Sequence, residues 1–153
     1  MNVRKLSHHG LCVSNLERAV GFYRDGLGFR EVSRLTFDDP GTQRLLALAG
    51  AKLEAVYLRR EGTTLELLHF PTPGTHLASA PRPMNQVGLT HLSFVVEDLD
   101  AALATLRPLG ARVLEETRLG QGADGPRAIF VTDPDATRIE LVEGDFDPER
   151  WSR

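Results

Sequence analysis

Cysteine is almost absent: Cys12 is the only one in 153 residues. A single thiol closes no intrachain disulfide and supplies no thiolate-only metal cluster, so a disulfide-stapled secreted scaffold is excluded and a cytoplasmic location is expected. Long apolar runs are absent as well. The N-terminal Met1-Asn2-Val3-Arg4-Lys5 leads directly towards polar Ser7-His8-His9, without the pattern of a signal peptide or a membrane span. Excess basic charge is missing too. Eighteen Lys and Arg stand against 21 Asp and Glu, a net charge of −3 with His neutral, which offers no general attraction to a phosphate backbone or an anionic bilayer. Nucleic acid and membrane are therefore set aside as partners, and a small-molecule substrate is expected. What is present, 41% hydrophobic residues with 14 Gly and 9 Pro, suffices for one globular domain over 1–153.

Periodicity divides the chain into two similar halves. His8 to Val13 reads as a strand, Leu16 to Arg24 as a helix, and Leu45–Leu48, Lys52–Arg59 and Thr64–Phe70 as further strands. The pattern then restarts: Leu89–Val96 as a strand, Asp98–Leu109 as a helix, and Arg112–Glu115, Pro126–Thr132 and Arg138–Glu143 as strands. His8, Val13, Asn15 and Gly28 correspond in spacing to His91, Val96, Asp98 and Gly110, and Leu65-Glu66-Leu67 corresponds to Ile139-Glu140-Leu141. An α+β fold of two βαβββ modules is expected, over about 5–70 and 88–144 with a linker at 71–87, because each sheet needs a second layer over its apolar face.

Local chemistry supports these boundaries. Ser14 and Glu17 have the spacing of a capping box, and Asp98 is a suitable cap for the second helix, whose Leu99, Ala102, Leu103 and Leu106 form an inward stripe. Gly28 and Gly110 occupy comparable turns, where a backbone conformation unfavourable to other residues is expected. The linker from Pro71 to Gln86 contains four prolines, which argue against a regular strand or long helix and leave a plain connection, a lid or a dimer contact. Gly120 to Pro126 reads as a hairpin loop beside the site, since it lacks the flanking pattern of a nucleotide loop. Trp151 and Phe146 read as tail residues packing on the body or a neighbour, or covering a cavity by stacking.

Alternation along a strand puts His8, Gly10 and Cys12 on one face and His9, Leu11 and Val13 on the other; His91, Ser93 and Val95 likewise share a face. The same count turns Glu66 away from Leu65 and Leu67, and Glu140 away from Ile139 and Leu141. Each module thus offers one His and one Glu on the face opposite its helix. A lone strand histidine usually serves structure and a lone glutamate usually faces water; the matched spacing in both halves argues instead for a shared cation. Bound there, a cation would offset the desolvation of the carboxylates, and two imidazoles with two carboxylates suit Zn, Ni, Co, Mn or Fe(II). His9 reads as outward or supporting, His69 and His76 as structural or at a substrate's edge, and Cys12 as a buried thiol rather than a nucleophile.

These segments resemble the vicinal oxygen chelate superfamily, which includes glyoxalase I, methylmalonyl-CoA epimerase, extradiol dioxygenases and the bleomycin and fosfomycin resistance proteins. The resemblance is carried by His8-His9-Gly10-Leu11-Cys12-Val13-Ser14-Asn15-Leu16, Phe22-Tyr23 with Leu27-Gly28-Phe29, Leu89-Thr90-His91-Leu92-Ser93-Phe94, and Asp133-Pro134-Asp135 with Ile139-Glu140-Leu141. It implies two βαβββ modules curving around a metal cavity, with His8, Glu66, His91 and Glu140 at the ligand positions, one divalent metal ion, a substrate that chelates it through adjacent oxygens, and a homodimer.

The full ligand set ranks the activities that the resemblance implies. Extradiol dioxygenases use two His and one Glu, so Glu66 disfavours them. Glyoxalase I and the epimerase use four ligands and share proton removal beside a carbonyl. The resemblance thus implies a metal-dependent lyase or isomerase acting through a metal-stabilised enediolate or enolate, with Glu140 or Glu66 as the catalytic base and Glu140 the first choice. A dioxygenase, or a protein that only binds a small molecule such as an antibiotic, is the alternative. His8-x-Gly10-Leu11-x-Val13 is closer to the epimerase style, whereas Glu rather than Gln at position 66 is closer to glyoxalase. Arg24, Arg82, Arg118 and Arg127 are the candidates for holding an anionic substrate tail.

Overall fold

The computed structural model describes residues 2–76, 82–120 and 127–144. The chain divides into two compact units, Met1–Leu77 and Ala78–Arg153. Each contains one four-stranded mixed sheet and repeats the βαβββ order.

In the first unit, β1 (His9–Cys12) leads into α1 (Leu16–Gly21), which continues as a π turn over Phe22–Gly26. β2 (Arg30–Phe37), a short α2 (Pro40–Leu45), β3 (Lys52–Arg60) and β4 (Thr63–Thr72) complete it. The strand order is β1-β4-β3-β2, with β1 parallel to β4 and the other pairs antiparallel. Leu58 pairs with Leu65 and Val56 with Leu67; all four are buried, as are Leu16, Ala19 and Val20 of α1. The Leu and Val side chains among them stabilise the fold by roughly 1.5–3 kcal/mol each when fully buried. The edge-to-face rings of Phe22 and Tyr23, with centroids 5.3 Å apart, extend this core.

The second unit repeats the design. β5 (Leu92–Val96), α3 (Leu99–Leu106), β6 (Arg112–Leu119), β7 (Arg127–Thr132) and β8 (Arg138–Glu143) form a sheet of order β5-β8-β7-β6. Ile129 pairs with Leu141 and Val131 with Ile139, and these four are buried together with Leu99, Leu103 and Leu106 of α3. Asp98 caps α3 by accepting from the Ala101 amide, as expected, and Glu143 reaches from β8 to accept from the Leu99 amide at 2.7 Å. Gly110 takes a left-handed φ of 99° and Gly28 one of 71°, the conformation that a side chain would oppose.

Several expectations need correction. Leu45–Leu48 is not a strand: Asp39 caps α2, which ends at Leu45, and Ala47 adopts a φ of 52°. The second strand of this unit is instead β2, whose mostly exposed, charged sequence conceals its alternation. The cap of α1 is Asn15, accepting from the Arg18 amide, while Ser14 Oγ accepts instead from the Arg18 guanidinium. β4 runs to Thr72, into the expected linker. Cys12 is exposed rather than buried, because it shares the outward face of β1 with Gly10. The hairpin loop expected at 120–126, apart from Gly120, and the tail residues Phe146 and Trp151 lie outside the described residues. Among the described residues no helix is long and apolar enough to cross a membrane.

Candidate metal and catalytic site

In the first unit the parallel pairing of β1 and β4 sets Gly10 opposite Glu66, and His8 stands two residues before Gly10. His8 Nε2 lies 3.0 Å from Glu66 Oε2. The other carboxylate oxygen accepts from the Tyr57 hydroxyl at 2.5 Å, since Tyr57 is the cross-strand partner of Glu66. The Tyr57 ring also meets the His8 imidazole edge to face, with centroids 5.7 Å apart. Burial first, and then the bond and charge of Glu66, push the Tyr57 phenol up to about 12; at neutral pH it is a hydrogen-bond donor. On its far side His8 Nδ1 lies 3.0 Å from Ser7 Oγ.

The second unit builds the same arrangement from different parts. Ser93 is the β5 partner of Glu140 and Phe130 its β7 partner. His91 Nε2 lies 3.6 Å from Glu140 Oε2, and Ser93 Oγ donates to that oxygen at 2.7 Å. His91 Nδ1 lies 2.8 Å from Thr90 Oγ1, as His8 does from Ser7, and the Phe130 ring meets the imidazole edge to face at 5.3 Å. Gly10 therefore corresponds to Ser93 and Tyr57 to Phe130. Each unit supplies one hydroxyl to its glutamate, one from β3 and the other from β5. The sequence reading gave neither Tyr57 nor Ser93 a role.

The structure brings His8 to Glu66 and His91 to Glu140, each pair within its own unit. Among the described residues, no group of three or more His, Cys, Asp or Glu is placed to hold a metal. The donor chemistry of the two pairs nevertheless fits a divalent cation. When Nδ1 carries the ring hydrogen and donates it to the neighbouring hydroxyl, Nε2 presents its lone pair on the carboxylate side, the orientation of a ligating histidine.

The other histidines stand apart from this pattern. His69 Nδ1 lies 3.3 Å from the Val13 carbonyl, a contact between β4 and the turn after β1, and His9 is half-buried on the opposite face of β1. The four arginines considered for an anionic tail are otherwise engaged. Arg24 pairs with Asp25, Arg118 with Glu115, and Arg127 with Asp100 and Glu143. The Arg82 guanidinium donates to the carbonyls of Gln86, Val87 and Leu89.

Comparison with known proteins adds to this geometry. A model of the Glyoxalase/Bleomycin resistance protein/Dioxygenase superfamily matches residues 5–141. A lactoylglutathione lyase of Neisseria meningitidis is 30% identical over 141 residues, 91% of this chain and 90% of the relative. An ethylmalonyl-CoA/methylmalonyl-CoA epimerase of Cereibacter sphaeroides is 28% identical over 129 residues, 84% of this chain and 88% of the relative. The crystal structure of a glyoxalase family protein from Bacillus cereus matches the fold with a TM-score of 0.79 at 24% identity, over 94% of this chain and 97% of that one.

Proposed function

Because the chain belongs to the Glyoxalase/Bleomycin resistance protein/Dioxygenase superfamily, we propose that it is a metal-dependent lyase or isomerase that moves a proton on a carbon beside a carbonyl. His8, Glu66, His91 and Glu140 would hold a divalent cation, which when bound supplies a Lewis acid for the substrate's oxygens. The carrying observation is the pair of His–Glu contacts repeated in both units, each with a hydroxyl on Nδ1 and a second hydroxyl on the carboxylate.

The two glutamates differ in a way that favours Glu140 as the base. Both oxygens of Glu66 have partners, Tyr57 on one and His8 on the other. At Glu140 the Ser93 hydroxyl and His91 both address Oε2, so among the described residues Oε1 accepts no hydrogen bond. Its side chain is also the more accessible, 28% exposed against 12% for Glu66. Glu140 Oε1 would take the proton from the carbon, the C–H electron pair would move towards the carbonyl, and the resulting carboxylic acid would return the proton to that carbon or its neighbour. Ser93 would hold the carboxylate in place throughout by its bond to Oε2.

Two relatives direct the choice of substrates: hemithioacetals, by likeness to the lactoylglutathione lyase, and epimerisable acyl thioesters, by likeness to the epimerase. A homodimer belongs to the same proposal. The test is Glu140→Gln, assayed on both substrate classes alongside metal content. Turnover is expected to fall about 10²–10⁴-fold, the usual contribution of a general base, in protein that remains folded and metal-loaded. Unchanged turnover in such protein would remove Glu140 from the role.

A further inference from the structure

The duplication that builds the two His–Glu pairs also builds two hollows beside them, and they have diverged. In the first unit a hollow of about 400 Å³ is lined by Lys5, Ser7, His8, Tyr57, Arg59 and Thr64 among others. In the second unit a hollow of about 160 Å³ is lined by residues including Arg82, Thr90 and Arg138. Thr90 corresponds to Ser7. Strand pairing makes Arg138 correspond to Thr64, and Thr132 to Arg59.

The cations of the smaller hollow are committed to the fold. Arg138 lies over the Phe130 ring, 6.0 Å from its centroid, and donates to the Arg82 carbonyl. The Arg82 guanidinium is spent on three carbonyls of the 86–89 loop. In the larger hollow the reverse holds. Lys5 and Arg59 are exposed, and among the described residues neither side chain has a hydrogen-bond or ion-pair partner. Two unpaired cations and the Ser7 and Thr64 hydroxyls thus face one open space bordered by the His8–Tyr57 ring pair. An ammonium, a guanidinium and two hydroxyls form a donor-rich set suited to an oxyanion.

We propose that this hollow is an anion-recognition pocket that binds a phosphate or carboxylate group on the small molecule whose reacting end lies at the His–Glu pairs. Its assignment to a substrate rests on the function proposed above; its capacity to bind an anion does not. In a duplicated fold, one copy would then use its hollow to hold the substrate's charged end while the other has filled its own with structural arginines. The two oxygens of a carboxylate match the Arg59 fork, whereas a phosphate has a further oxygen for Lys5 and the hydroxyls as well.

The test is a two-dimensional amide NMR titration of the full chain without added metal, using inorganic phosphate and, separately, acetate, each against chloride at matched ionic strength. Saturable shifts at the amides of Ser7, Arg59, Gly62 and Thr64 are expected. The Lys5→Gln/Arg59→Gln double variant, which alters only exposed side chains, should weaken binding at least tenfold, and its amide dispersion reports that it is folded. Tighter binding of phosphate than acetate would identify a phosphate pocket, and the opposite order a carboxylate pocket. Shifts that match the chloride control for both anions would overturn the proposal, as would saturable binding unchanged in the folded double variant. Neither result depends on turnover or metal content, so failure here is distinguishable from failure of the proton-transfer reading.

Discussion

The two glutamates receive their hydroxyls from opposite neighbours, and that difference can be transplanted. Tyr57→Phe removes the bond to Glu66 Oε1. Loss of a hydrogen bond to a charged, largely buried acceptor costs about 1.5 kcal/mol, a fall of about 5 °C in melting temperature for a chain of this length unfolding in one step. Gly10→Ser should then replace the lost donor, because Gly10 stands opposite Glu66 as Ser93 stands opposite Glu140. A Cβ at position 10 meets only the flexible end of Leu68, with Cδ1 at 3.2 Å, a contact present whether or not Tyr57 is intact. Denaturant unfolding of wild type, both single variants and the double variant isolates the coupling. Gly10→Ser is expected to be more favourable in the Tyr57→Phe background by about 1 kcal/mol. Equal effects in the two backgrounds, within about 0.3 kcal/mol, would refute the equivalence of the two donors.

Two further predictions concern helix starts. Glu143→Ala removes the acceptor of the buried Leu99 amide and the partner of Arg127, and should destabilise the protein by about 1–2 kcal/mol in denaturant unfolding. Asp39 is held below the usual carboxylate range, first by the Thr42 hydroxyl and then by the Thr42 and Gly41 amides. A carboxylate whose folded pKa is depressed contributes stability above its unfolded pKa and loses it as pH falls through the folded value. The titration midpoint of Asp39, followed through the Gly41 and Thr42 amide resonances, should therefore lie below that of an unstructured aspartate, about 3.9; a midpoint at or above that reference would contradict the capping geometry.

The features most legible in the sequence were those set by short-range chemistry and by repetition. Asp98 announced α3, and the apolar neighbours of Glu66 and Glu140 announced which face each glutamate takes, because alternation is a local property. β2 was hidden because its residues are exposed along nearly the whole strand, so no apolar alternation marks it. The Leu45–Leu48 run misled because the Asp39 cap and Pro40 start a helical turn that overrides its apolar composition.

Tyr57 was missed for want of register, although a signal existed. Glu61 and Gly62 both take positive φ, 46° and 82°, between the paired Arg60 and Thr63. A two-residue turn of that kind fixes the hairpin register and places Tyr57 opposite Glu66. Ser93 was recognised as sharing a face with His91; its bond to Glu140 depends on the parallel pairing of β5 with β8, which connects residues 47 apart in sequence.

Two His–Glu pairs are proposed to serve one divalent cation. Elemental analysis of the untagged protein, purified without chelator, with His91→Ala beside it, tests this most directly. About one divalent ion per wild-type chain is expected, and loss of that ion from a folded His91→Ala variant, because a ligand set deprived of one imidazole loses much of its affinity. Wild-type protein that takes up no metal even on reconstitution would contradict it, and would leave small-molecule binding as the better reading of the fold.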